Sequence, residues 1–191
     1  MAQGDLAGRS VLAMVTNYGV EQDELVVPVE HLRRNGAKVD VAAVSGEPVQ
    51  TLVGDKDPGE TVRPTTTLDD VDASSYDLLL VPGGTLNADD LRQNDTAVRF
   101  VQDFAAGGRP IAAICHGPWT VVEADAVRDK TLTSYPSLRT DIRNAGGEWV
   151  DESVVTDSGN GWTLVTSRTP KDLDDFLRET EAALLASPGT G

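Results

Sequence analysis

The chain has one cysteine and two histidines in 191 residues. A single cysteine excludes an intramolecular disulfide and is consistent with a reducing compartment. Apart from the Cys115-His116 pair these ligand-type residues are widely separated, so no zinc site of ordinary spacing can be assembled and no metal is expected. The chain also lacks GxxxxGK[ST] and GxGxxG, the glycine patterns that cradle phosphates and dinucleotides, and no cofactor is expected. Basic residues are scarce as well: 16 Lys and Arg against 31 Asp and Glu give a formal net charge of -15. Such a surface repels phosphate backbones and anionic membranes unless a local basic patch intervenes. The one basic pair, Arg33-Arg34, falls at an expected helix end, where cations suit the macrodipole. Nucleic-acid and membrane partners are therefore not expected. No apolar run approaches the ~20 residues of a membrane span. Met1 to Gly8 carry no basic, apolar leader pattern, so a cytoplasmic location is expected.

What the chain does have is a globular composition, with 39% apolar and 25% charged residues. Its length suits one domain over 1–191, with flexible ends at 1–8 and 187–191. Short apolar runs at 10–15, 38–44, 76–81 and 110–114 read as buried strands, and strands at 153–156 and 162–166 read as a pair joined by a turn at 157–161. Between them lie helical patterns. Leu25, Val29 and Leu32 share one face, as do Val98, Val101 and Phe104. A short helix is expected from Gly117 to Ala124. Thr169 as N-cap and Pro170 as first residue introduce a last helix striped by Leu173, Phe176, Leu177 and Leu184. Pro28 should kink the first helix or delay its start. Residues 45–67 carry a weak pattern, read as hairpin excursions or loop. Apolar strands alternating with helices imply an α/β fold with a mostly parallel sheet covered on both faces.

The fourth strand runs directly into Cys115. Ala113-Ile114-Cys115-His116-Gly117 resembles a nucleophile elbow, in which small residues two before and two after the nucleophile let a strand-to-helix turn close. Donors at the following helix N-terminus are expected to lower the thiol pKa. The N–H of His116 and a donor from Pro82-Gly83-Gly84 are placed to hold an oxyanion, since both segments end strands on the carboxyl edge where open α/β sheets bind ligands. A lone cysteine also serves simply as a small core residue. Glu21 and Glu24 open on the same edge. Either can hydrogen-bond the sulfur, best when protonated, and acidic residues in a first helical turn are equally explained by the dipole.

The segments AICHGP (113–118), LTSYPSLRTDIRNAGGEWVDE (132–152), VTSRTPKDL (165–173), LVPGG (80–84) and EQDELVVP (21–28) together resemble the PfpI-like family of intracellular cysteine proteases and general stress proteins. That family belongs to the class I glutamine amidotransferase-like superfamily. The resemblance implies a flavodoxin-like three-layer α/β/α sandwich, dimeric or larger. It assigns Cys115 as nucleophile, His116 as its neighbour, Glu21 as the carboxyl on the sulfur, Gly84 and His116 as oxyanion donors beside Gly83, and Tyr135 as a site tyrosine. Peptidase-like members take a third triad member, an acid, from a neighbouring subunit, and the matching segment here offers Asp89 or Asp90. With no histidine after His116, the chain lacks the late histidine of a glutaminase. The functions implied are a cysteine-dependent enzyme acting on small aldehydes or glycated adducts, an oxidation-sensitive stress thiol or non-catalytic redox sensor, and a peptidase acting on peptides.

Overall fold

In a computed structural model, residues 5–187 and Gly189 are described. The strands are β1 (Ser10–Met14), β2 (Tyr18–Glu21), β3 (Lys38–Ala43), β4 (Val49–Val53), β5 (Asp57–Val62), β6 (Thr66–Thr67), β7 (Leu78–Val81), β8 (Ile111–Ile114), β9 (Thr131–Leu132), β10 (Glu148–Trp149), β11 (Val154–Asp157) and β12 (Leu164–Ser167). The helices are α1 (Gln22–Arg34), α2 (Thr85–Leu91), α3 (Asp95–Ala106), α4 (Pro118–Glu123), α5 (Arg139–Asn144) and α6 (Leu173–Ala186). Seven strands form the main sheet in the order β11-β12-β8-β7-β1-β3-β6. All pairs are parallel except β11 with β12.

Alternation along the strands divides the core in two. Val11, Ala13, Leu78, Leu80, Ala112 and Ile114 face one layer, where they pack with Leu25, Val29 and Leu32 of α1 and Phe176 of α6. Leu12, Met14, Leu79, Val81, Ile111 and Ala113 face the other, against Phe100, Val101 and Phe104 of α3 and Ile142 of α5. Successive side chains on a strand point to opposite faces, so continuous apolar runs are required when both faces are covered. The chain is thus a three-layer α/β/α sandwich, as its strand pattern implies.

Several local expectations are revised. Thr16 to Gly19 read as turn-like and Glu21 as part of the helix start, yet Tyr18–Glu21 is a strand pairing with β4, and β4 pairs antiparallel with β5 in a small separate sheet. Pro28 lies inside α1, which starts without delay at Gln22. Thr169 makes no side-chain cap, and Pro170–Asp172 forms a 3-10 turn before α6. The expected flexible ends fall partly outside the described residues (1–4, 188, 190 and 191). Within the described part, Leu6 is buried and donates its N–H to Asn35, and the Arg9 guanidinium holds the carbonyls of Leu185 and Ser187.

The turn between β11 and β12 is fixed by a lysine. Lys130, whose side chain is fully buried, donates to the carbonyls of Gly159 and Trp162 and pairs with Asp157 at 3.4 Å. Asp157 in turn accepts the N–H of Thr131 at 2.7 Å and that of Gly159. Removing one partner from such a cluster leaves buried polar groups unpaired. Lys130→Met is expected to lower unfolding free energy by about 3 kcal/mol, read as a lower urea midpoint at unchanged slope. A loss below about 0.5 kcal/mol, the range of an ordinary surface substitution, would show that the lysine is dispensable.

Candidate active site

Three loops meet where β1, β7 and β8 end. β8 delivers Cys115 in the left-handed region, at φ 62°. A non-glycine residue rarely sits there, and the strain persists only where neighbours over-determine it. Here the Cys115 N–H donates to Ser167 of β12 at 2.9 Å, and its carbonyl accepts from Tyr135 at 2.8 Å. The turn demands a small residue at 117, because a Cβ on Gly117 would run into the carbonyls of Val81 and Ile114. The elbow spacing therefore corresponds to an elbow in the backbone.

The carboxyl at the sulfur belongs to Glu24, not Glu21. Glu24 is fully buried; its Oε2 accepts the Gly83 N–H at 2.9 Å, and its side chain hydrogen-bonds with Cys115. Oε1 finds no nitrogen or oxygen partner. Burial pushes the Glu24 pKa up from 4.5 to about 8, so the acid is mainly protonated at neutral pH. Glu21 instead ends β2 and accepts the N–H groups of Gly54 and Asp55, each at 3.0 Å. The choice follows from the helix start. With Gln22 the first residue of α1, Glu24 stands in the first turn, and helical side chains lean back toward the N-terminus and hence toward the strand ends.

The thiol also differs from expectation. Burial raises the Cys115 pKa above its ordinary value, the Glu24 carboxyl raises it further, and the Gly84 N–H opposes them. The helix after the elbow does not compensate. α4 has only six residues and opens on Pro118, which has no N–H, while the N–H groups of Gly117, Trp119 and Thr120 go to Ile114, His116 and Gly117. These three amides at the start of the helix are thus engaged elsewhere. Gly83 is likewise committed to Glu24, leaving Gly84 as the glycine whose N–H meets the sulfur.

His116 is 4% exposed and points Nδ1 at the Cys115 sulfur, 3.2 Å away, so adjacent residues do meet here. Its ring stacks on Tyr135 with centroids 4.6 Å apart. Burial lowers its pKa, keeping the imidazole neutral, with Asp55 opposing. Nε2 lies 3.4 Å from both Thr85 Oγ1 and Ser137 Oγ. Asp55 reaches the site through Thr85, accepting its N–H at 2.7 Å and its hydroxyl at 2.8 Å. Sequence reasoning missed Asp55 and Thr85. The available signal was the pair Gly54-Asp55, both left-handed at φ 64° and 57°, in a stretch of faint periodicity. Asp89 and Asp90 are exposed on α2, and the carboxylate acting on His116 within the chain is that of Asp55.

A cavity of about 170 Å³ opens over the sulfur, lined by Glu21, Glu24, Asp55, Tyr135, Thr169 and Pro170 among others. A larger groove of about 470 Å³, at Thr16, Tyr18, Asp90 and Gln93, shares none of these residues. Among the described residues no cluster of three or more His, Cys, Asp or Glu is placed to hold a metal ion.

Residues 9–182 match the DJ-1/PfpI family. The chain belongs to the DJ-1/PfpI family. It is 37% identical to general stress protein 18 of Bacillus subtilis, over 91% of this chain and 96% of that protein. It is also 37% identical to protein/nucleic acid deglycase 2 of Escherichia coli, over 88% and 94% respectively. Among solved structures it superposes with a TM-score of 0.84 and 31% identity on a two-domain protein of Anabaena variabilis containing DJ-1/ThiJ/PfpI-like and ferritin-like domains. That match covers 95% of this chain and 50% of the other.

The raised pKa of Glu24 has a consequence for stability. Its folded-state value lies above the ordinary 4.5, so its contribution is fully present below about 4.5 and is lost as pH rises through about 8. The stability advantage of wild type over Glu24→Gln is expected to shrink steadily from pH 5 to pH 9 in urea titrations. A difference independent of pH would mean that the carboxyl is ionised throughout.

Proposed function

We propose that this chain is a stress-linked, cysteine-dependent enzyme of the deglycase type, acting on small aldehydes and their adducts. The observation that carries the reading is the placement of the Cys115 sulfur between a neutral imidazole nitrogen at 3.2 Å and a carboxyl group that is mainly protonated at neutral pH. One group takes a proton and the other gives one, which is what addition of a thiol to a carbonyl needs.

With methylglyoxal the steps balance as follows. The sulfur adds to the aldehyde carbon, its proton passes to His116 Nδ1, and the carbonyl oxygen takes a proton from Glu24 to complete the hemithioacetal. The Glu24 carboxylate takes the C–H proton of that carbon while the His116 imidazolium protonates the neighbouring carbonyl oxygen, giving an enediol. Glu24 then delivers its proton to the adjacent carbon and takes up that of the first hydroxyl, leaving a lactoyl thioester with both groups in their starting states. Water hydrolyses the thioester, releasing lactate and restoring the thiol. Methylglyoxal and water give lactate and a proton, with no oxidant consumed. The cavity supports a substrate of this kind. At about 170 Å³ it is well below the ~300–1,000 Å³ of pockets for drug-sized ligands. Its lining has acidic side chains and no basic one, which disfavours anionic substrates.

Multiple turnovers of methylglyoxal to lactate are expected without oxidant. Cys115→Ser should abolish them, and His116→Ala should lower kcat about a hundredfold. Lactate production that survives Cys115→Ser, or none from wild type across methylglyoxal, glyoxal and their amine adducts, would overturn the reading. A homodimer or larger assembly belongs to the same proposal, with Asp89 and Asp90 exposed where a neighbouring copy can meet them.

A further inference from the structure

His116 can serve as a base only in one tautomer. Nδ1 faces the thiol, so Nδ1 must be bare and the ring proton must sit on Nε2. The group that decides this is on the far side of the ring. Thr85 Oγ1 stands 3.4 Å from Nε2 and 2.8 Å from Asp55 Oδ2. A carboxylate only accepts, so the Thr85 hydroxyl must donate to Asp55. Its lone pair is then what remains for the ring, and Nε2 must carry the proton. We propose that Asp55, acting through the Thr85 hydroxyl, is the positioning acid of His116, fixing the tautomer that leaves Nδ1 bare toward Cys115.

The assignment rests on the proposed function only in what the base is for. When the sulfur attacks, Nδ1 receives the thiol proton and the ring becomes an imidazolium. Its Nε2–H is already directed at Thr85, and the Asp55 charge beyond stabilises the cation. The acid is held with care for a loop residue. Glu21 clamps the Gly54 and Asp55 N–H groups, both residues are left-handed, and Asp55 Oδ1 takes the Thr85 N–H as well. The titratable groups around the ring are Cys115, Asp55 and Tyr135. Ser137 is the competing hydroxyl at Nε2, also at 3.4 Å. A positioning acid within the chain removes the need for one from a neighbouring copy.

The opposing reading is that Asp55 merely caps α2, and the two part on one substitution. In Asp55→Asn the amide oxygen can keep the Thr85 N–H, while the amide N–H₂ donates to the Thr85 hydroxyl. The hydroxyl proton, no longer held by a carboxylate, is then free to turn to Nε2, so the preference for the Nε2–H tautomer is lost and the Nδ1–H form gains population. With only His31 and His116 in the chain, ¹⁵N-histidine NMR reads the tautomer directly, and His31→Gln assigns the signals. Wild type is expected in the Nε2–H form at pH 7, and Asp55→Asn with a clear gain of the Nδ1–H form, with kcat for methylglyoxal down about tenfold or more and KM little changed. Thr85→Val should mix the tautomers and Thr85→Ser should restore the wild-type one; matching thermal midpoints confirm that each variant is folded. An Nδ1–H wild type, an unchanged tautomer in folded Asp55→Asn, or a change caused by Ser137→Ala but not by Thr85→Val would overturn the assignment. Absence of wild-type turnover would instead strike the proposed function, since the tautomer remains readable without it.

Discussion

The site depends on one backbone conformation, the left-handed turn at Cys115. A right-handed or extended residue there would continue β8 or open the helix early and carry the sulfur away from the strand ends. The strained angle costs of order 1–2 kcal/mol, which the core on both faces of β8 and the bonds to Ser167 and Tyr135 offset. The same turn brings the backbone of 115–117 against Val81 and Gly83, so Gly83 and Gly117 are required by contact and not by flexibility. The scaffold therefore sets the sulfur in place before any side-chain chemistry begins.

Around that sulfur the protein has assembled acids. Glu24, Glu21 and Asp55 converge on a cavity with no cation in its lining, in a chain that is already strongly acidic. Three carboxyl groups so close are tolerable because each has a different role. Glu24 is stripped of water and held mainly as the neutral acid. Glu21 is occupied by two backbone N–H groups, and Asp55 by the N–H and hydroxyl of Thr85. Burial separates their behaviour, so one fold supplies a proton donor, a loop clamp and an anion from similar side chains.

Much of this was legible in the sequence, for physical reasons that also mark where legibility stops. Apolar runs such as Leu78–Val81 and Ile111–Ile114 announce buried parallel strands because both faces must be apolar. The elbow was legible because close packing restricts residues 113 and 117 to small side chains. What the sequence hid is decided by geometry beyond the local pattern. Tyr18–Glu21 is a strand only because β4 lies beside it. That strand sets where α1 begins, and hence that Glu24 and not Glu21 faces the sulfur. Asp55 lies in a stretch of weak periodicity, and its partner Thr85 is thirty residues away. A helix N-terminus after the elbow suggests free donors for the thiol, but Pro118 supplies none and the amides of Gly117, Trp119 and Thr120 are spent inside the turn.

A raised thiol pKa looks at first like poor design for a nucleophile, yet the remaining features make it coherent. Nucleophilicity of a thiolate grows with the basicity of its thiol, so a sulfur deprotonated only as it attacks is intrinsically stronger than one stabilised at rest. The requirement is a base already in contact, and His116 Nδ1 at 3.2 Å meets it. Oxidation by peroxide, in contrast, draws on the resting thiolate, and a buried neutral thiol offers little of it. A carbonyl that enters the cavity brings the electrophile and an oxygen able to take a proton from Glu24. The thiol, the imidazole and the Glu24 carboxyl therefore rest mainly neutral, and the charge they need is generated only with the partner that uses it.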